Sequence, residues 1–165
     1  MNKPFNWIEP SIEFMEKNDN ILVSSPNHHP DWVRSSIKKG NYQCIGDFGV
    51  GYGFSDHVFL ARAKQFSSPI YKEKCIASLR YPLAHLGSVF EERIDSYMRN
   101  KRLKKAIFIP AAYNHPEETI GLGYTRKVSR IHKLKMIRNE YLHRKLRNQY
   151  ICRLLRFIGK DHLIV

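Results

Sequence analysis

Cysteine is scarce in this sequence of 165 residues. Its three cysteines, Cys44, Cys75 and Cys152, are odd in number and far apart, with no CxxC pair and no histidine within four residues. Disulfide frameworks need paired cysteines, and structural zinc sites need closely spaced Cys and His ligands. We therefore expect three reduced, mostly buried thiols rather than a disulfide scaffold or a zinc site.

Long hydrophobic runs are missing as well. The longest uncharged apolar runs, such as residues 107–113, are far shorter than the roughly 20 residues that cross a bilayer as a helix. The first twenty positions are unlike a secretory signal because they contain four acidic residues, Glu9, Glu13, Glu16 and Asp19. From these two absences we expect a soluble, cytoplasmic protein.

Signatures of nucleotide and metal chemistry are also lacking. The sequence has no Gly-Lys-Ser/Thr, and Gly49, Gly51 and Gly53 do not have the final spacing of the dinucleotide fingerprint. A metal-dependent nuclease is disfavoured because no Asp-(x)n-Glu-x-Lys pattern occurs. We expect neither ATP-driven chemistry nor a metal or other cofactor. The remaining acid–base or metal candidates are His28, His29, Asp47, Asp56 and His57.

Acidic residues are few, since 15 Asp and Glu stand against 28 Lys and Arg, a net charge of +13. Residues 1–123 hold 16 basic and 13 acidic side chains, whereas residues 124–165 hold 12 basic side chains against Glu140 and Asp161. Crowded like charges repel, and a polyanion that releases its counterions on binding is the usual compensation. Nucleic acid is therefore the leading partner, and an anionic membrane or a merely solvated basic face are the alternatives.

The apolar pattern predicts an α+β fold, with a small N-terminal antiparallel sheet followed by helices and a long basic C-terminal helix. We interpret residues 1–123 as a mixed α/β core and residues 124–165 as a basic helical segment packed on it within one domain. The predicted strands are residues 21–23, 42–45, 58–60 and 107–109, and Gly46-Asp47 is the predicted turn after the second of them. The predicted helices are residues 5–18, 31–39, 71–105 and about 125–158.

The predicted terminal helix combines an apolar stripe with many cations. The stripe recurs at helical spacing and is expected to face the core; it comprises Ile131, Leu134, Ile137, Tyr141 or Leu142, Leu146, Ile151, Leu154, Leu155 and Ile158. The cations are candidates for contacts with successive phosphates; they are Arg126, Lys127, Arg130, Lys133, Lys135, Arg144, Lys145, Arg147, Arg153 and Arg156. Because like charges along one helix repel, a docked apolar face, a polyanion or both must stabilise it.

Within this helix lies the pattern Arg138-Asn139-x-x-x-His143. It resembles the active-site motif of the HEPN family of metal-independent ribonucleases, which carry it on a C-terminal helix, often at a dimer interface. The resemblance covers less than a tenth of the chain. It implies that His143 is the general acid and base, Arg138 holds the scissile phosphate and Asn139 orients the histidine.

The chemistry of this motif is consistent with RNA cleavage. Attack by the 2′-hydroxyl needs a proton shuttle that titrates near neutrality and a cation at the phosphorane, and no metal. Asn139 and His143 share a helix face, whereas Arg138 points away by more than a right angle, so its side chain must curl round or come from a second protomer. HEPN domains are all-helical, and the sheet-like pattern of residues 20–66 departs from that fold.

Two further local resemblances concern RNA. Residues 116–147, in which residues 124–127 lead into the Arg-rich helix, are similar to the helix of the type I-F CRISPR repeat endoribonuclease that lies in the major groove of an RNA hairpin. Gly51-Tyr52-Gly53-Phe54 resembles the centre of the RNP1 strand of RNA-recognition motifs, whose aromatic residues stack on bases. Tyr52 and Phe54 are therefore candidate base-stacking residues, and an ordinary Gly-rich aromatic hairpin is the alternative.

The leading functional hypothesis is binding of RNA, and less so of DNA, with metal-independent cleavage through His143 and Arg138. One alternative is a non-catalytic nucleoprotein subunit or DNA-binding regulator that uses the same helix. The other is a binder of anionic membranes or acidic proteins, which the charge pattern favours least. A homodimer or a larger nucleoprotein complex is compatible with the first two.

Overall fold

The computed structural model describes residues 6–27, 30–55, 57–66, 69–80, 90–112, 130–146 and 148–164. The helices there are α1 (Ile8–Lys17), α2 (Pro30–Lys38), α3 (Ala63–Phe66), α4 (Phe90–Asn100), α5 (Arg130–Leu146) and α6 (Gln149–Phe157), with 3-10 turns η1 (Ile70–Lys72), η2 (Ile76–Arg80) and η3 (Asp161–Leu163). The strands are β1 (Ile21–Asn27), β2 (Tyr42–Ile45), β3 (Phe48–Gly51), β4 (Leu60–Ala61) and β5 (Lys104–Ala112). The fold is α+β, as the sequence predicts.

The five strands form one mixed sheet in the order β2-β3-β5-β1-β4. Strands β1 and β5 are parallel and the other three pairs are antiparallel, so the sheet is mixed where the sequence predicts an antiparallel one. Every residue of β1 is buried, because this strand is covered on both faces and paired on both edges. The sequence of such a strand is a continuous run of apolar or small residues that does not alternate with polar ones. It therefore does not reveal which strand lies next to it in the sheet.

A tight hairpin joins β2 and β3, as the sequence predicts. Ile45 pairs with Phe48, which leaves Gly46 and Asp47 as the two-residue turn. Gly46 has φ +55°, a left-handed conformation that suits the first position of such a turn and that glycine adopts without strain.

The core lies on both faces of the sheet. Along β5, Ala106 and Phe108 point to the side where α1 packs with Met15, whereas Ile107 points to the side where α2 packs with Val33. The Phe48 ring lies between those of Phe14 and Phe108, with centroids 4.1 and 5.1 Å away. Because side chains alternate along a strand, β5 contributes core residues to both faces of the sheet. A further cluster lies between β1 and α4 and includes Leu22, Val23, Ile94 and Met98.

A buried ion pair holds the C-terminal segment against α4. Arg99, only 1% exposed, places its Nε 2.9 Å from Asp95 Oδ2, which also accepts a 2.7 Å hydrogen bond from Ser78 Oγ. Arg99 Nη1 donates to the carbonyl oxygens of His162 and Ile164, both at 2.7 Å. This network fixes η3, and thereby the end of α6, to the body of the protein.

Three predicted elements differ from the structure. The chain at 70–80 forms the short turns η1 and η2 rather than the start of a helix, while residues 81–89 lie outside the described residues. Strand β5 continues through Pro110 instead of ending there. The single terminal helix is two helices, since Asn148 has extended backbone and caps α6 by accepting from the amides of Tyr150 and Ile151. None of the helices in the described ranges is long and apolar enough to cross a bilayer.

Candidate polyanion-binding surface

Helix α5 carries the predicted motif, and its attachment to the body determines which residues face outwards. Asn139 is 7% exposed, and Leu142 and Leu146 are half-buried, so this face is directed towards the protein. Ile137 and Tyr141 each lie two residues from Asn139, about 200° around the helix, and therefore face the opposite way. The helix is thus fixed with one defined side towards solvent.

The outward side of α5 is apolar, so the prediction that the apolar stripe packs on the core was wrong for Ile131, Leu134 and Ile137, whereas it holds for the half-buried Leu142 and Leu146. Ile131 and Leu134 are both 67% exposed, and Ile137 and Tyr141 are also exposed. Steps of three and four residues put all four on one face. Periodicity alone predicts that an apolar face is covered, but it does not say by what.

Helix α6 has a similar outward face. Tyr150, Leu154 and Phe157 are separated by four and three residues, and Phe157 is 88% exposed. The inner side carries the half-buried Ile151 and Leu155, which confirms the predicted packing only for that side. We call the exposed apolar residues of the two helices the outer stripes: Ile131, Leu134, Ile137 and Tyr141 on α5, and Tyr150, Leu154 and Phe157 on α6.

Six of the predicted phosphate-binding or motif cations have described side chains, and all are exposed: Lys135, Arg138, Arg144, Lys145, Arg153 and Arg156. Arg144 Nε lies 3.0 Å from Glu140 Oε1 one turn earlier, and Arg156 donates to the carbonyl of Gly40 at 2.9 Å. Where the structure describes both partners, no carboxylate of the first 112 residues lies within 4 Å of these cations. Their charge therefore faces solvent largely uncompensated.

Arg138 and Asn139 are in contact. Arg138 Nη2 and Nε donate to Asn139 Oδ1 at 3.0 and 3.3 Å, so the arginine side chain bends towards its neighbour. The Asn139 oxygen is thereby engaged by its neighbour. His143 belongs to α5, but its side chain lies outside what the structure describes, as do those of Arg130 and Lys133.

Tyr52 follows β3 and is half-buried rather than presented as a stacking platform. The Arg99 guanidinium lies over its ring, with Cζ 5.0 Å from the ring centroid, and Lys104 Nζ is 6.0 Å from it. Burial and the negative charge of Asp161 raise the pKa of Tyr52 to about 12. Its ring is thus already in contact with cations of the protein itself.

Phe54 is a core residue, so the prediction that its side chain stacks on bases was wrong. It is 5% exposed and packs edge-on against Phe59 and Phe90 at 4.9 and 5.5 Å. Gly51 also has a packing role, because a Cβ there would lie 2.9 Å from the Asn41 carbonyl oxygen and the Tyr42 ring. The Gly-aromatic pattern therefore reflects a packed hairpin rather than an RNA-binding strand.

Several predicted residues lie outside the described part of the chain: His28, His29, Asp56, Arg126, Lys127 and Arg147, together with residues 116–129 of the stretch similar to the CRISPR endoribonuclease helix. Of the acid–base candidates, Asp47 lies in the β2–β3 turn and His57 is exposed. Among the described residues, no three His, Cys, Asp or Glu side chains are grouped to hold a metal ion.

The sequence pattern did not predict that the residues of the outer stripes are exposed to solvent. The charge pattern could have shown it, because a stripe interleaved with Arg138, Lys145 and Arg153 is unsuited to an apolar core.

No protein-family model matches the sequence, and no curated protein and no solved structure matches it. The candidate function therefore follows from the geometry and charge of this chain alone.

Proposed function

We propose that this protein binds polyanions through the exposed surface of α5 and α6, with RNA as the partner that the sequence favours. The observation that carries the proposal is the exposure of six cations on these helices, of which Arg144 alone pairs with a carboxylate among the described residues. A net charge of +10 over residues 124–165 repels itself unless an external anion neutralises it.

The test is a binding titration of the full chain with fluorescent single-stranded RNA over a salt series. Each phosphate contact is expected to contribute about 0.7 to the slope of log affinity against log salt concentration. The double variant Lys135→Gln/Arg153→Gln should flatten the slope by about 1.4 on the same scale. The matched control Lys39→Gln/Lys101→Gln removes two exposed charges elsewhere and should leave the slope unchanged. Equal slopes for both variants would reject α5 and α6 as the binding surface.

A second candidate, metal-independent RNA cleavage, is supported by the contact between Arg138 and Asn139. We propose His143 as the proton shuttle and Arg138 as the phosphate clamp in that reaction. RNA incubated with the protein in EDTA should then be cut, and His143→Ala should abolish cutting without weakening RNA binding. RNA that stays intact with the unchanged protein rejects this activity while leaving polyanion binding standing.

A further inference from the structure

The apolar residues of the outer stripes restrict the class of polyanion that can bind further than the positive charge alone does. Seven exposed apolar side chains lie on two adjoining helices, and they include Phe157 at 88% and Tyr150 at 78% exposure. Water-exposed apolar surface of this extent on one segment is typical of a binding site for an apolar partner. The partner must therefore accept aliphatic and aromatic side chains as well as positive charge.

Cations accompany the apolar residues on both helices. Arg138 lies one turn after Leu134, and Lys145 Nζ is 5.4 Å from the centroid of the Tyr141 ring. On α6, Arg153 lies between Tyr150 and Phe157, three and four residues from them on the same side of the helix. Each outer stripe thus presents apolar and positive groups to the same side.

Two other partners match this pattern less well. A nucleic acid would pair with the cations and stack on Tyr or Phe rings, but it offers no apolar layer for Ile131, Leu134 or Leu154. A second copy of the chain would bury the apolar residues, but it would also bring Arg138, Lys145 and their symmetry equivalents together without counter-charge. An anionic lipid surface supplies both an apolar layer and negative headgroups.

We propose that α5 and α6 bind the surface of an anionic membrane, lying in the interface rather than crossing it. The outer stripes enter the boundary between headgroups and acyl chains, while Arg138, Lys145 and Arg153 pair with the headgroups. This inference rests on the proposed binding of polyanions, because the same cations provide the charge, and it names the lipid surface as the partner.

The test is cosedimentation of the full chain with two kinds of vesicle, phosphatidylcholine alone and phosphatidylcholine with about one quarter phosphatidylglycerol. Binding is expected to the anionic vesicles and to be lost in the neutral ones, since the surface potential attracts the cations. Leu134→Gln and Phe157→Gln should each lower vesicle affinity by about tenfold, because an apolar side chain no longer leaves water. Both positions are exposed, so the urea unfolding midpoint should stay unchanged.

A matched control removes exposed apolar residues elsewhere. Ile8→Gln and Ile12→Gln on α1, each at positions 46% exposed, should leave vesicle binding unchanged. Single-stranded RNA binding of Leu134→Gln should also be unchanged, because the cations and the aromatic rings remain.

Each remaining outcome contradicts the membrane inference in a recognisable way. RNA binding without vesicle binding overturns it and leaves polyanion binding standing, whereas loss of both overturns the two together. Vesicle binding that survives both glutamine substitutions overturns the role of the outer stripes. Concentration-dependent self-association that either substitution abolishes would show that a second copy covers the stripes instead.

Discussion

Two arginines of this chain show opposite environments for the same side chain. Arg99 is buried and satisfied by the Asp95 carboxylate and two carbonyl oxygens, whereas Arg138 is exposed and donates only to the neighbouring Asn139 among the described residues. A buried guanidinium is tolerated only where its donors and charge find such partners. Arg99 therefore belongs to the stability of the fold, and Arg138 remains available to a ligand.

Removing the Arg99 guanidinium should destabilise the protein strongly. Arg99→Leu leaves the Asp95 carboxylate buried without its cation and frees the carbonyls of His162 and Ile164, which we expect to cost about 3–5 kcal/mol. The measurement is urea unfolding followed by circular dichroism. The double variant Arg99→Leu/Asp95→Asn should recover part of that loss, because the uncompensated charge is gone. A single variant as stable as the unchanged protein would contradict the role of the pair.

His162 should make stability depend on pH. Its Nδ1 is buried without a hydrogen-bond partner among the described atoms, and burial, aided by the charge of Arg102, holds the pKa of His162 below its ordinary 6.5. The unfolded chain therefore takes up this proton at a higher pH than the folded chain, so stability falls as pH drops below about 6.5.

The check compares urea midpoints at about pH 7.5 and about pH 5.5 for the unchanged protein and His162→Gln. The unchanged protein should lose more stability over that interval than the variant does. Identical pH dependence of the two proteins would show that His162 titrates alike in the folded and unfolded states.

At the scale of elements, Asn148 decides that the basic segment is two helices. Its Oδ1 accepts hydrogen bonds from the amides of Tyr150 and Ile151 at 3.0 and 3.4 Å, which satisfies donors at the start of α6. The apolar residues of the segment recur at a spacing that fits one continuous helix, so the sequence pattern did not predict the break at Asn148. The Asn148 cap begins α6, and η3, tied to Arg99, follows its end.

Loss of this cap should weaken α6. Asn148→Ala is expected to cost about 1 kcal/mol, whereas Asn148→Asp retains an acceptor and should cost less. Hydrogen exchange of the α6 amides would locate the effect, and exchange should quicken in α6 while the β1 and β5 amides stay protected. Unaltered α6 exchange in the alanine variant would argue against the cap.

At the scale of the whole molecule, charge and hydrophobic surface coincide at one end of the chain. The front part is nearly balanced, with 16 basic and 13 acidic residues up to position 123, and it contains the sheet and its core. The last helices carry most of the net charge and the outer stripes. A stable folded body thus presents a segment whose own surface is unfavourable until a partner covers it.

Added salt, which screens the repulsion among these cations, should therefore stabilise the free protein. Raising NaCl from about 50 to about 500 mM shortens the screening distance severalfold and relieves repulsion among the cations of α5 and α6. We expect the melting temperature in calorimetry to rise by about 2–4 °C for each kcal/mol of repulsion relieved. The variant Lys135→Gln/Arg138→Gln/Arg153→Gln should show a smaller rise, and an equal rise would place the salt effect elsewhere.

The sequence by itself determined the local elements and the distribution of charge. Residues 8–17, 30–38 and the hairpin at Gly46 follow from periodicity and turn residues, since these depend on near neighbours. Neither the burial of Phe54 nor the role of Arg99 was predicted, because both depend on residues far away in the chain.

Only the tertiary structure decided the parallel pairing of β1 with β5 and the direction in which α5 and α6 face. A strand buried on both sides carries no mark of its neighbour, and an amphipathic helix shows that one face is apolar without showing whether the protein or a partner covers it. Asn139, buried against the body, turns Ile137 and Tyr141 outwards, and that rotation is set by packing rather than by periodicity.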